Sequence, residues 1–223
     1  HIILEHPQYR QAPSVDLYIP DAEKLMSKIQ KNSYSVIASR TIINYGMART
    51  AYASDGIVIK GSETSSGVKS PFSGAIISGR FLSSERDGNI CMGKKLADLL
   101  RLRVGQKFVL TTNDVTGTLT EGLCRVVGLF ETGIDEIDAR LILAPLGYLE
   151  DLLVIPPGGA NQIAVFLDDP GRQAKVSTQI SDALLDKSVT LYSWKEVLPE
   201  LASYLRVDQA ANFIFQGILF LSL

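Results

Sequence analysis

Apolar positions along the chain switch between a helical and an alternating spacing, and the switches divide it into segments. HIILEH opens as a short apolar strand. In DAEKLMSKIQK, Ala22, Leu25, Met26 and Ile29 fall at i, i+3, i+4 and i+7, with Asp21 placed to cap the free amides, so this segment is predicted to be a helix with one buried face. SYSVIASRTIINYGMARTAYAS is rich in Val, Ile, Thr and Tyr, and IVIKG follows a turn expected at Ser54, Asp55 and Gly56. The first segment therefore reads strand, helix, strand, strand. The order recurs late: NQIAVFLD is a strand, GRQAKVSTQISDALLDK a helix with Val176, Ile180, Ala183 and Leu184 on one face, and SVTLY a strand.

Two strand-helix-strand units in one chain predict an α+β fold in which a split ferredoxin-like layer carries two helices on one sheet. The section between them has another texture. GSETSSGVKSPFSG leads to a short helix, GKKLADLLRL, then to the strands KFVLTT, GLCRVVGLF and ARLILA, then to the helix PLGYLEDLLV. This is expected to be an inserted, mostly-β lobe. The expected divisions are residues 1–75 for the first half of the layer, 76–158 for the insertion and 159–208 for the second half. NDVTGTLTE, between two of the inserted strands, predicts a hairpin tip in solvent.

The chain ends on QAANFIFQGILFLSL, which carries no charge after Asp208 and has apolar residues all round a helical wheel. One protein face cannot bury such a segment, so residues 209–223 are expected to begin a transmembrane helix that continues beyond them. Before it, SWKEVLPELASYLRV has Ser193 and Glu196 at capping-box spacing and an apolar stripe through Trp194, Leu201 and Leu205. Pro199 is placed to kink or break that helix.

Charge and chemistry narrow the function classes. Twenty-two Lys plus Arg against 24 Asp plus Glu give a net charge of -2, without the basic excess of a nucleic-acid binder. His1 and His6 are the only histidines, both at the N-terminus, which leaves a Ser-His or Cys-His pair little to recruit. Cys91 and Cys124 form no zinc spacing and are expected to be small buried thiols. The acidic run Glu131, Asp135, Glu136 and Asp138 lacks the spacing of a calcium loop and is expected to be solvated. In GSETSSGVKS five residues separate the glycines and Val68 precedes Lys69, so the phosphate-loop pattern is broken. No cofactor and no catalytic residue is expected.

Three passages together resemble a known family. CMGKKLADLLRLRVGQKFVL is similar to a signature in the extracytoplasmic domain of ABC-transporter permeases of the MacB, FtsX-like and lipoprotein-releasing (LolC/LolE) kind. CRVVGLFETGIDEIDARLILAPLGYLEDLL resembles the stretch that follows there, with Gly128, Gly133 and Asp138 at matching positions. LYSWKEVLPELASYLRVDQAANFIF is similar to the passage leading into the second transmembrane helix, and HIIL to the strand after the first.

The resemblance implies a two-lobed domain, Porter for the split layer and Sabre for the insertion, in the periplasm and attached to the inner membrane. It implies a cytoplasmic ATPase subunit, a second permease subunit, and a lipoprotein or other amphipathic substrate moved without catalysis by this chain. Trp194, Leu201 and Leu205 are then expected to couple the exit helix to Porter, and Thr116, Gly117 and Thr118 to form a contact tip. In the subunit that recruits a LolA-like periplasmic carrier the tip is a longer hook containing proline; here residues 113–121 are short and contain none. The alternatives are a MacB-like exporter or peptide-transport permease domain and, from a different class, a secreted binding module or a hydrolase.

Overall fold

A computed structural model describes residues 2–32, 36–63, 70–84, 86–167, 176–178, 180–181 and 189–193. Trp194, Leu201, Leu205 and the apolar tail 209–223 lie outside the described residues, as does most of the second expected helix.

The chain is α+β and builds two sheets. Strands β1 (Ile2–Glu5), β2 (Val36–Thr41), β10 (Gln162–Leu167) and β11 (Thr190–Ser193) form a four-stranded sheet in the order β11-β1-β10-β2, antiparallel throughout. The period-2 pattern of the two chain ends thus builds one surface. Ile2, Leu4, Ile163 and Val165 turn to one face and meet Ala22 and Ile29 of α1 (Ala22–Asn32). Val176 and Ile180, on the described helical residues of the second unit, join the same cluster.

The second sheet contains β3 (Ile43–Arg49), β4 (Ser54–Ser62), β5 (Ile76–Gly79), β6 (Asn89–Gly93), β7 (Lys107–Asn113), β8 (Leu119–Phe130) and β9 (Leu141–Pro145) in the order β5-β8-β6-β9-β4-β3-β7. An additional β7–β8 pairing closes the ring, so six strands make a barrel and β5 lies outside on β8. Closure removes the free edges of those strands. Ile57, Ile59, Ile90, Met92, Phe108, Leu110, Val126 and Ile142 fill the interior. The short helices α2 (Lys94–Leu99) and α4 (Leu146–Leu153) follow strands of opposite direction and so close opposite ends, adding Leu96, Leu100, Leu149 and Leu153 to the core. A third helix, α3 (Asp135–Arg140), links β8 to β9. Outside the barrel, Phe130 packs on Phe72 with ring centroids 5.3 Å apart, in a cluster with Leu82, Cys91, Val127 and Leu143.

Two expectations change. Residues 43–62, read with the first segment, hydrogen-bond into the barrel through β3 and β4. The turn between them falls at 50–53 rather than at 54–56, because the Thr50 hydroxyl accepts from the Tyr52 and Ala53 amides at 3.2 and 3.1 Å. Ser54, Asp55 and Gly56 are already strand.

Cys91 and Cys124 are unbridged and fully buried. Burial pushes the Cys91 thiol up to about 12 and the Cys124 thiol up to about 11, the latter against the lowering effect of the Tyr148 hydroxyl 3.3 Å away. In the unfolded chain both return to the ordinary 9.0, so they hold their protons longer when folded. That stabilisation is complete below pH 9.0 and is lost as pH rises toward about 11 and about 12. Thermal melts should therefore show a midpoint that declines above pH 9.0. With both thiols replaced by Ala or Val, the decline should be shallower.

Candidate functional site

Gly93, Gly133 and Asp138, from the two inner passages that carry the resemblance, meet at one end of the barrel. Gly93 ends β6 and starts α2, and a Cβ there would lie 2.2 Å from the Asp138 carbonyl oxygen and 2.7 Å from the Asp138 Cα. Only a glycine lets α3 cross α2 at this distance. Lys95 Nζ joins the two helices again by reaching Asp135 Oδ1 at 2.6 Å.

Asp138 itself is 1% exposed. Its Oδ1 accepts from the Thr132 amide and hydroxyl, each at 2.9 Å, and its Oδ2 from the Gly133 amide at 3.1 Å. Gly133 has φ of 80°, where other residues are strained. Asp138 was expected in a solvated acidic run. It is instead an internal acceptor, because the turn after β8 aims its amides inward and no backbone carbonyl answers them. Glu131, Asp135 and Glu136 are exposed.

Gly128, the third matching position, sits at a bulge. Ile90 pairs with Val126 and Cys91 with Gly128, so Val127 is the extra residue. A Cβ at Gly128 would meet the Arg80 carbonyl oxygen at 2.2 Å, where the segment after β5 crosses the barrel wall. The signature residues thus hold crossing backbones together and present no reactive group.

The tip residues Thr116, Gly117 and Thr118 are exposed and lie between β7 and β8 as expected. Asp114 organises them. Its Oδ1 accepts from the Thr116 amide at 2.8 Å, the Thr116 hydroxyl at 2.6 Å and the Thr118 amide at 3.0 Å. The Thr116 hydroxyl is the main reason its carboxyl is held below the ordinary range. Gly117 takes φ of 80° and donates to the Asp114 carbonyl at 3.0 Å. The adjoining Val115 amide donates to the carbonyl of Leu153, at the C-terminus of α4, at 3.1 Å. The tip is therefore a closed turn seated on α4, not a projecting arm. Asp114 carries a turn-forming signal in the sequence only together with Gly117 three residues on, and its role as the acceptor of the tip is not legible there.

At the α4 end the barrel meets the four-stranded sheet through buried ions. Arg40 of β2 reaches Glu63 at 2.8 Å and Glu150 of α4 at 3.1 Å. Glu150 also accepts from the Gly158 amide at 3.1 Å. Beside them lies a cavity of about 80 Å³ lined by Ser39, Thr41, Lys60, Ser70 and Phe166. Burial lowers the Lys60 pKa. A shallow groove of about 450 Å³ runs along α1 between Lys24, Lys28 and Lys31 and the loop at Pro157 and Gly158. Among the described residues no cluster of three or more His, Cys, Asp or Glu is placed to hold a metal, and no helix is long and apolar enough to cross a membrane.

No protein-family model matches the chain, and no curated protein sequence matches it. Solved structures do. The extracellular domain of the noncanonic ABC-type transporter YknZ from Gram-positive bacteria aligns with a TM-score of 0.60 and 11% identity, over 86% of this chain and 99% of that one. The periplasmic region of MacB from Actinobacillus actinomycetemcomitans aligns with a TM-score of 0.59 and 10% identity, over 90% of this chain and 92% of that one. At such identities the likeness is one of architecture, and the chain has the fold of these two transporter domains.

Proposed function

We propose that the chain is the non-catalytic periplasmic domain of an inner-membrane ABC-transporter permease, which couples ATP hydrolysis on a separate subunit to release of lipoproteins or similar amphipathic molecules. One observation carries this. β1 and β11 are antiparallel neighbours with Ile2 opposite Ser193, so the start of β1 and the end of β11 lie side by side at one end of the small sheet. The barrel hangs from the opposite end, where Thr41 pairs with Gln162. Two adjacent membrane helices would hold such a body by one end and leave the barrel outboard.

In this reading the four-stranded layer is Porter, split ferredoxin-like as its strand order supports, and the barrel is Sabre. Trp194, Leu201 and Leu205 couple the layer to the helix that enters the bilayer near residue 209. The partners are a cytoplasmic ATPase subunit and a second permease subunit. The likeness to MacB and YknZ supports a transporter domain and leaves a MacB-like exporter as the second reading. The closed tip on α4 favours a subunit that does not hook a LolA-like carrier.

Full-length protein reconstituted with its ATPase and a fluorescent lipoprotein tests the proposal. ATP should drive lipoprotein out of the vesicles, and a variant ATPase that binds but does not hydrolyse ATP should abolish sustained release. Release of a soluble peptide in place of the lipoprotein would favour the exporter, and release indifferent to ATP would overturn both.

The contact role of Thr116, Gly117 and Thr118 has its own test. Replacing both threonines with Ala should weaken binding of the partner permease about tenfold, as loss of a modest contact does, with little change in thermal stability. Unchanged binding would remove the tip from the interface.

A further inference from the structure

Among the described residues the strands pass from the sheet to the barrel once and return once, while the loop between β1 and α1 leans on the barrel and places Val15 in its core. It leaves β2 at Thr41, crosses at Ile42 and starts β3 at Ile43; it returns through Ala160 and Asn161 to start β10 at Gln162. Thr41 and Gln162 are paired, so the two crossings are neighbours. Two bare single-strand links side by side would make a hinge.

These links are not bare. Asn161 is completely buried, and its amide pairs with both peptide groups of Ile43: Oδ1 accepts from the Ile43 N–H at 2.8 Å and Nδ2 donates to the Ile43 carbonyl at 2.7 Å. A side chain on the returning link thus does for the outgoing link what a neighbouring strand would do. The Ile42 carbonyl accepts from the Gly61 amide of β4 at 2.7 Å, fixing the crossing residue to the barrel wall. Arg40, just before the crossing, holds Glu63 and Glu150 on the barrel side, with all three side chains at most 13% exposed. Ala160 forms a bridge with Ile19, which ties the return to the segment leading into α1.

We infer that Asn161 and Arg40 clasp the sheet and barrel into one rigid body, so that displacement at the chain ends appears undiminished at the far end of the barrel. Asn161 is a positioning residue here, acting through the backbone of Ile43. The inference goes beyond the transport reading and holds whatever the barrel contacts.

Spin labels on the full chain test it. Cysteines replacing Lys28 on α1 and Tyr52 at the far turn of the barrel report across the joint; both positions are exposed. A second pair replacing Tyr52 and Leu119 reports within the barrel. Native Cys91 and Cys124 are buried and should take little label. With the clasp intact, the cross-joint pair should give one narrow distance distribution. Asn161→Ala should at least double its width, Arg40→Gln should widen it less, and the within-barrel pair should keep its width in both, which separates a loosened joint from an unfolded chain. If Asn161→Ala does not fold, Asn161→Asp, which keeps the acceptor and loses the donor, takes its place with the same expectation. A broad cross-joint distribution in the native chain, or variants as narrow as the native, would overturn the inference.

Discussion

Replacing Asp138 by Ala should lower stability by roughly 3 to 5 kcal/mol, the largest effect expected of any single side chain here. The Thr132 amide, the Thr132 hydroxyl and the Gly133 amide would all lose their acceptor at a place where the aspartate is 1% exposed. Each donor left unpaired away from water costs about 1 to 3 kcal/mol, and partial entry of water limits the sum. For a chain of this size that corresponds to a fall in the melting midpoint of roughly 6 to 20 °C. Asp138→Asn should also destabilise, because one of its two acceptor oxygens becomes a donor that faces another donor. Thr132→Val removes one donor, leaves the two amides on Asp138 paired and frees only the exposed Ile134 amide to water, so it should cost only about 1 kcal/mol. Thermal or urea unfolding of the three variants checks the ranking. A loss below 1 kcal/mol for Asp138→Ala would show that the turn after β8 is held by something else.

Gly93→Ala comes next, for a purely steric reason. Gly93 has φ of -62°, which any residue adopts, so no special backbone conformation is lost. The added Cβ would meet the carbonyl oxygen, carbonyl carbon and Cα of Asp138 at 2.2, 2.6 and 2.7 Å. All three belong to backbone, so no side chain can rotate away and α3 must move off α2. Forced displacement of that kind costs about 3 kcal/mol. Gly105 provides the contrast. It has φ of 93° but no atom within 4 Å of its virtual Cβ, so Gly105→Ala should carry only the conformational cost, roughly 1 kcal/mol. Gly93 and Asp138 share one contact, so the double variant should lose less than the sum, with a coupling of about 0.5 to 3 kcal/mol. Strict additivity in denaturant unfolding would contradict the shared knot.

Local structure was legible where local spacing decides it. Apolar residues four and three apart mark α1, and the polar run between KFVLTT and GLCRVVGLF marks the β7–β8 turn. The passage from sheet to barrel was hidden, because Thr41, Ile42 and Ile43 continue one β-branched run with no Gly or Pro where the chain changes partners. Pairings between distant segments were hidden too. β4 lies parallel to β9 and β6 parallel to β8, and neither neighbour is announced by spacing along the chain. That is why the mostly-β section reads as a lobe and not as a closed barrel.

The site was legible as a pattern and not as a mechanism. Gly93, Gly128, Gly133 and Asp138 stand out through the resemblance, yet that Gly93 lies against the Asp138 backbone and Gly128 against that of Arg80 depends on three-dimensional packing. Asp138 looked solvated because it sits among other acids, and charge density along a sequence does not reveal which carboxylate turns toward orphan amides. Asn161 carried no signal beyond a single polar residue ahead of an apolar strand. Its importance comes from standing beside Ile43 in space.

The measurement that tests the central claim most directly is labelling of the full-length protein in cells, with Tyr52→Cys at the far turn of the barrel as the exposed site. A membrane-impermeant maleimide admitted to the periplasm by permeabilising only the outer membrane should label that cysteine above the level of the same protein without the substitution, in which Cys91 and Cys124 are buried. Fractionation should then recover the labelled protein with the inner membrane. Labelling only after the inner membrane is broken, or recovery in the soluble fraction, would contradict the account.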